Sequence, residues 1–390
     1  MSTPLRSPGG FPVVGIIGGG QLARMCAGPA AELGVTLAVL AEAPDASAAL
    51  VTPFAPVGDH TDVETVRDFA RHCDVITFDH EHVPAPVIEA LVADGVAVHP
   101  TPEALLHAQD KLVMRRALTE AGVPCPRWTQ AATEEEVTTF AEAVGWPVVV
   151  KTPRGGYDGK GVMLADTVDD VRDWLSAAAE RGETLLLEER VPFVRELSVL
   201  LARSPSGQAA AWPVVETVQT DGICTEVIAP APDLEPEAAR AATLVGLDIA
   251  AALEVTGVMA VELFELADGS VVVNELAMRP HNSGHWSMDG AVTGQFEQHL
   301  RAVLDLPLGS PRAREPWTVM GNVLGGEPTD LYPTYRHLMA RDPELKVHLY
   351  GKGVRPGRKI GHVNVSGSDL ADLRERARHA ADYIQGVIDE

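Results

Sequence analysis

From Phe11 to Pro100 the apolar runs FPVVGII, VTLAVLAE, DVITF and VAVHP are separated by the helical patterns QLARMCAGPAAEL, TDVETVRDFARHC and APVIEALVADG. A strand that must rejoin its sheet in the same direction needs a crossover, and the helices supply it, so this region reads as βαβ units on a parallel sheet. The chain is therefore expected to be α/β, with a Rossmann-like first domain over residues 11–110. Its 390 residues, at about 150 per domain, leave room for two or three domains.

A long helical pattern, Pro102 to Ala121, ends at AGVPCP, where Gly and two prolines break it. Beyond it come a helix from Glu134 to Val144, a strand PVVVKTP, the loop RGGYDGKG, a strand GVMLA and the helix TVDDVRDWLSAAAE. TLLLEERV, RELSVLLARS, AAAWPVVETV and ICTEVIA read as successive strands of an antiparallel sheet. A helix from Glu235 to Leu253 leads to VMAVELFEL and VVVNEL, a hairpin turning at Asp268-Gly269. A helix from about Asp289 to Leu304 follows, then the linker LPLGSPRAREP and a tail that reads as a small α/β module. The expected divisions are 11–110, 111–307 with a lid at about 122–190, and 316–385.

Thirty-one Lys+Arg against 55 Asp+Glu leave a net charge of −24, a field that repels nucleic acid and anionic membranes. An anionic substrate therefore needs a local basic pocket. The four cysteines, Cys26, Cys73, Cys125 and Cys224, lack CxxC spacing, so neither a zinc site nor a disulfide framework is signalled, and a reducing cytoplasm is expected. Met1 to Gly10 reads as a frayed tail without the apolar segment of a signal peptide, and no apolar run reaches the ~18 residues of a membrane span.

Five segments carry chemistry. Gly15-Ile-Ile-Gly18-Gly19-Gly20-Gln21-Leu22-Ala23 takes a strand into a helix through glycines, whose backbone amides can approach a phosphate at the helix start. Gly18, Gly20 and Ala23 also fit G-x-G-x-x-A with Glu42 near the next strand end, so a dinucleotide site and a ligand-free tight turn both stay open. Lys151 and the glycine loop after it join two strands with no helix following, unlike a Walker A loop; a lid over phosphates or an ordinary hairpin loop would read this way. Glu262 and Glu275 lie on the two arms of one hairpin. Cross-strand partners are about 5 Å apart, close enough to hold Mg²⁺ against phosphate oxygens, although a solvated edge strand would also carry such glutamates. Arg279-Pro-His-Asn-Ser-Gly-His285 gathers donors for anions and heterocycles, of which a helix cap would explain only Asn282 or Ser283. KVHLYGKGVRPGRKIGH holds Lys346, Lys352, Arg355, Arg358 and Lys359 without an acid, and fits one phosphate ester better than a polynucleotide because no aromatic platform accompanies it.

Together GGGQLARM, GGYDGKGV, NELAMRPHNSGH and YGKGVRPGRKIGH resemble the ATP-grasp superfamily and, within it, the N5-carboxyaminoimidazole ribonucleotide synthetases, over essentially the whole chain from Val13 to about Ile384. The resemblance implies an ATP-grasp fold and a ligase of purine biosynthesis that uses ATP, bicarbonate and Mg²⁺, or Mn²⁺ in its place, to N-carboxylate 5-aminoimidazole ribonucleotide, acting as a homodimer. It assigns nucleotide phosphates to Lys111 and Lys151, the lid to Gly156, Tyr157, Asp158, Gly159, Lys160, Gly161 and Val162, adenine to Glu188, Glu189, Arg190 and Val191, and ribose to Glu196. Asn274 and Glu275 fall at the triphosphate, with Glu262 and Glu275 as metal ligands. Gly20, Gln21, Leu22, Glu81, Tyr157, Asp158, Arg279, His281, Asn282, Ser283, Lys352, Arg355 and Arg358 correspond to the ribonucleotide pocket. Arg279, Lys151, Tyr157 and Asp158 are the residues expected to act on the reacting groups.

One row departs from the family, which commonly has Glu-Asn-x-His where this chain reads Glu216-Thr-Val-Gln219. Gln219 can hydrogen-bond to nucleotide but carries no charge. Three competing readings are a formate-using glycinamide ribonucleotide transformylase, an NAD-dependent oxidoreductase, and a non-catalytic nucleotide-binding regulator. The oxidoreductase would use only the first glycine motif, and retained Lys151, Glu262 and Glu275 weigh against the regulator.

Overall fold

The computed structural model describes residue 7 and residues 9–155 and 161–389. The lid residues Gly156, Tyr157, Asp158, Gly159 and Lys160, and most of the expected N-terminal tail, lie outside the described residues.

Four strands, β1 (Val13–Ile17), β2 (Thr36–Leu40), β3 (Val75–Phe78) and β4 (Ala97–Val98), form a parallel sheet in the order β2-β1-β3-β4. β1 is buried along its whole length, which is why it reads as an unbroken apolar run rather than an alternating one. The helices Gln21–Leu33, Val63–Ala70 and Ala85–Ala93 provide the crossovers.

The long helical pattern after β4 is two helices, Pro102–Gln109 and Lys111–Glu120. Asp110 interrupts them with extended backbone angles (φ −134°, ψ 108°), and its carboxylate accepts from the amides of Leu112 and Val113 to cap the second helix. Periodicity alone could not reveal the break, because the apolar stripe continues through it. The break puts Lys111 at a helix start, pointed at the site described below.

A second, antiparallel sheet contains β5 (Trp128–Ala131), β6 (Val148–Lys151), β7 (Val162–Ala165) and β8 (Leu185–Glu189) in the order β5-β8-β6-β7. β6 and β7 are the expected arms of the glycine loop, with Lys151 opposite Val162. By sequence TLLLEERV groups with the strands that follow it, but the structure places β8 in this smaller sheet, between β5 and β6.

The third sheet has nine strands: β9 (Phe193–Arg203), β10 (Ala209–Ala211), β11 (Val215–Thr220), β12 (Ile223–Ala229), β13 (Gly257–Leu266), β14 (Val271–Ala277), β15 (Trp317–Leu324), β16 (Lys346–Leu349) and β17 (Lys359–Gly367). Its main path runs β14-β13-β9-β11-β12-β15-β17-β16, with β10 paired to β9. The tail beyond residue 316 thus adds strands to this sheet through the β12–β15 pairing, and the helix Leu370–Gln385 covers β15 and β17 with Leu373, Ala377, Ala380 and Ile384. Among the described residues, no helix is long and apolar enough to cross a membrane, and all four cysteines are free thiols.

Candidate active site

A cavity of about 1220 Å³ is lined by residues of the four-stranded antiparallel sheet, the nine-stranded sheet and the parallel-sheet domain. It gathers residues from distant parts of the chain: Glu81, Lys111, Lys151, Val162, Glu188, Glu196, Gln219, Glu262, Asn274, Glu275, Arg279, His281, Asn282 and Ser283 all line it.

The hairpin sets its acidic side. Glu262 and Glu275 are directly opposed in the β13–β14 register, so their side chains leave the same face of the sheet. Burial, and then the facing carboxylates Glu275 and Glu196, push the Glu262 carboxyl above its ordinary range. His281 Nε2 lies 3.4 Å from Glu262 Oε1, and burial followed by the charges of Arg279 and Lys359 lowers that imidazole to about 3, keeping it neutral near pH 7. Glu275 Oε1 is 3.2 Å from Lys111 Nζ. Two hard oxygen donors crowded on one face suit a divalent cation that completes its shell with phosphate oxygens. Among the described residues, no group of three or more Asp, Glu, His or Cys side chains is placed to hold a metal ion.

The basic side begins with Lys151 at the end of β6. Its Nζ sits 2.7 Å from Glu188 Oε2 and donates to Asn274 Oδ1 at 3.2 Å. Next to it, Glu189 is bound to Arg127 at 2.7 Å, Arg190 is exposed, and Val191 is partly buried. Burial raises the Glu196 carboxyl above its ordinary range, with the Gln219 side chain opposing that rise by hydrogen bonding. The rings of Phe193 and Phe264 stack 4.5 Å apart along the same wall.

On the other side, Glu81 joins the first domain to the donor-rich segment: its Oε1 accepts from the Met278 amide at 2.8 Å, and Oε2 lies 3.4 Å from Arg279. His281 Nδ1 and Ser283 Oγ are 2.9 Å apart, and Ser283 Oγ is 2.8 Å from Ser198 Oγ. Buried Gln295 holds both the amide and the carbonyl of His281, at 2.9 Å each.

The glycine turn after β1 is more constrained than its sequence implied. Glu42 accepts from the Gly19 amide at 3.1 Å and lies 3.6 Å from His80, whose hydrogen bond draws its carboxyl down to about 2. That leaves Glu42 tying the turn together. Asp79 accepts from the Ala23 amide at 2.8 Å, and a Cβ on Gly20 would stand 1.9 Å from its Oδ2. Among the described residues none accepts a hydrogen bond from the amides of Gly20, Gln21 and Leu22. Leu22 itself packs in the core, so only its backbone faces a ligand. Lys352 Nζ donates to Gln21 Oε1 at 2.5 Å, and Ser47 Oγ donates to the Tyr350 carbonyl at 2.5 Å. The two ends of the chain do meet here, 331 residues apart in sequence. Arg355 and Arg358 are exposed and do not line the cavity; Arg358 donates to the Gly353 carbonyl at 3.1 Å within its own loop.

Sequence reasoning missed Lys359 as a site residue and missed Arg115 altogether. Lys359 lines the cavity although it was visible within the basic stretch. Arg115 is fully buried one turn beyond Lys111, and a charged residue on the apolar face of that helix was the available signal.

Comparison with known proteins agrees with this arrangement. Three family models match in order: the ribonucleotide synthetase preATP-grasp domain at residues 12–109, the ATP-grasp domain at 116–296, and the phosphoribosylaminoimidazole carboxylase C-terminal domain at 318–376. The N5-carboxyaminoimidazole ribonucleotide synthase of Mycobacterium tuberculosis (strain ATCC 25618 / H37Rv) is 56% identical over 376 residues, covering 96% of this chain and 88% of that protein. The structure of the Thermus thermophilus synthetase superposes with a TM-score of 0.85 at 34% identity, covering 97% of this chain and 99% of that one. That of the Aspergillus clavatus synthase, in complex with ADP and 5-aminoimidazole ribonucleotide, superposes with a TM-score of 0.86 at 31% identity, covering 96% and 98%. With all three segments matched in order and 56% identity over 96% of its length, the chain belongs to the N5-carboxyaminoimidazole ribonucleotide synthase family of ATP-grasp ligases.

Proposed function

We infer that the site carries out the reaction of that family: ATP-dependent N-carboxylation of 5-aminoimidazole ribonucleotide with bicarbonate, giving N5-carboxyaminoimidazole ribonucleotide, ADP and phosphate for purine biosynthesis. The observation that carries this reading is the single cavity in which the Glu262–Glu275 pair and the two lysines lie next to the Arg279–Ser283 segment. Bicarbonate is a poor electrophile, and ATP supplies the phosphoryl group that turns it into carboxyphosphate, a source of CO₂ beside the amine. Mg²⁺, or Mn²⁺ in its place, held by Glu262 and Glu275, would neutralise phosphate charge. Phosphoryl transfer needs positioning and charge neutralisation more than covalent help. Lys111 and Lys151 face the triphosphate, Asn274 orients Lys151, and Glu188, Glu189, Arg190 and Val191 with Glu196 and Gln219 form the nucleoside wall. Arg279 stabilises the anion transferred to bicarbonate. Neutral His281, with Asn282 and Ser283, contacts the aminoimidazole side, and Gly20, Gln21, Leu22 and Lys352 receive the 5′-phosphate, to which the family resemblance adds Arg355 and Arg358. To Tyr157 and Asp158, which lie outside the described residues, we assign the exclusion of the water that would hydrolyse carboxyphosphate.

The division into 11–110, 111–307 and 316–385 gives each substrate group its own contributor. The functional unit we propose is a cytoplasmic homodimer that binds neither nucleic acid nor membrane, in keeping with the −24 charge and free thiols. ADP release is measured with Mg-ATP and bicarbonate, with and without 5-aminoimidazole ribonucleotide, and in parallel with glycinamide ribonucleotide plus formate. Stimulation by the imidazole substrate alone is expected. Stimulation by the glycinamide pair would retain the fold and overturn the substrate.

A further inference from the structure

Arg115 is the largest buried charge in the vicinity of the cavity that the mechanism above does not use, and it is fully shielded from solvent. It lies on the helix Lys111–Glu120, four residues after Lys111 and therefore on the same face one turn deeper. Its Nε donates to Glu188 Oε1 at 2.5 Å, and its Nη2 donates to the Asn274 carbonyl at 2.6 Å. Glu188 Oε2 meets Lys151 Nζ at 2.7 Å, and Lys151 in turn donates to the Asn274 side chain at 3.2 Å. These contacts close a ring of four residues. Arg115 and Lys151 share one carboxylate, while Asn274 is gripped through its backbone by the arginine and through its side chain by the lysine.

The ring joins two sheets. Glu188 and Lys151 sit on adjacent strands of the four-stranded antiparallel sheet, and Asn274 sits on the edge strand β14 of the nine-stranded sheet, immediately before Glu275. Charge arithmetic gives the ring its use: two cations and one anion leave one positive charge over. Without Arg115, Glu188 and Lys151 would form a closed one-to-one pair in a dry environment, where charges attract strongly and the lysine would be held away from any other anion. With Arg115 present, the carboxylate is already satisfied on one oxygen and the lysine keeps net attraction for a phosphate. The guanidinium fork suits this double task, since a planar donor set can serve a carboxylate and a carbonyl at once. Burial opposes ionisation of Glu188, yet Arg115 and then Lys151 hold its carboxyl below the ordinary range.

We propose that Arg115 is a positioning residue for the nucleotide half of the site: it keeps the Lys151 ammonium available to the phosphates of ATP and fixes the strand that carries Glu275, without touching the nucleotide itself. The proposal rests on the function inferred above and deepens it.

The test compares Arg115→Gln and the conservative variant Arg115→Lys with the wild-type enzyme, reading KM for ATP, KM for 5-aminoimidazole ribonucleotide, kcat, and the equilibrium dissociation constant of ADP without turnover. Arg115→Gln is expected to weaken ADP binding and raise the ATP KM by roughly tenfold or more, the scale of a lost charge-assisted contact, with the ribonucleotide KM changed by less than about twofold. Arg115→Lys, which keeps the charge but not the planar fork, is expected to fold and to bind ADP more weakly than the wild-type enzyme but more tightly than Arg115→Gln. If Arg115→Gln does not fold, Arg115→Lys is compared with the wild-type enzyme, and equal ADP affinity in the two would overturn the proposal because the guanidinium fork would then have no influence on Lys151 or β14. A folded Arg115→Gln enzyme with unchanged ADP affinity, or with both KM values raised equally, also overturns it. Failure of the underlying function looks different: the wild-type enzyme would then release no ADP in response to the ribonucleotide, while the ADP-binding comparison would still read out.

Discussion

Replacing Lys352 by Met keeps the aliphatic stem and removes the ammonium that bridges the C-terminal loop to Gln21 at 2.5 Å. If that ammonium also meets the 5′-phosphate of the ribonucleotide, the variant loses a charge-assisted contact worth about 1.5–3 kcal/mol, or roughly 10- to 150-fold in affinity. Burial, then Arg358, lowers the Lys352 pKa, so its protonated form is held at a cost that a phosphate dianion would offset. The expected kinetic signature is a ribonucleotide KM raised by that factor, with the ATP KM nearly unchanged because the ammonium is held at Gln21 of the glycine turn and not beside Lys111, Lys151 or Glu275. Steady-state ADP release, varying each substrate at saturation of the other, reads both constants. Added salt provides a second reading: the wild-type ribonucleotide KM rises with ionic strength more steeply than that of the variant. Equal effects on the two KM values, or none on either, would refute the placement of Lys352 at the substrate phosphate.

Glu275→Gln preserves shape but removes the charge facing Lys111 at 3.2 Å and one of two opposed carboxylates, so kcat should fall by about 100-fold or more with an unchanged circular dichroism spectrum; normal turnover would sink the metal assignment. His299 is buried, accepts from the Val258 amide through Nδ1 at 3.0 Å, and therefore donates from Nε2 to Thr77 at 2.9 Å. Burial lowers it to about 3, so below its unfolded pKa of about 6.5 the unfolded chain binds a proton that the folded one refuses, and stability falls with pH. Relative to His299→Gln, the wild-type protein should lose about 2 kcal/mol between pH 7 and pH 5 in urea unfolding; parallel losses in both would contradict the assignment. Gly20→Ala puts a methyl 1.9 Å from Asp79 Oδ2, so the carboxylate must shift and its Oδ1 loses the Ala23 amide, which should cost about 1–3 kcal/mol together with affinity for the ribonucleotide. An unchanged melting temperature and KM would show that the turn has room to spare.

Much of this was readable from local pattern. The parallel sheet was announced by alternating strands and crossovers, and the hairpin that carries both glutamates by two strands around an Asp-Gly turn. Their direct opposition was not, because the register that runs from the turn to Leu263 and Val273 would put Glu262 opposite Asn274, and an irregularity between Glu262 and Leu263 shifts it to Glu275. The family could be named from four motifs in their order, since each motif is a backbone device whose residue types are fixed locally. Other features lay beyond any local rule. The helix break at Asp110, the placement of β8 in the smaller sheet, and the addition of the C-terminal strands to the nine-stranded sheet depend on which surfaces meet. So do the roles of Glu42, Asp79 and Arg115, whose partners lie 23, 56 and 73 residues away. A sequence specifies how each segment can hydrogen-bond and which face it hides, and that sufficed for the elements and the chemical inventory of the site. Only the folded chain decided which charges share a carboxylate and which amides stay open to a ligand, because electrostatic energy in a buried site depends on distance and dielectric, and neither exists until the segments pack.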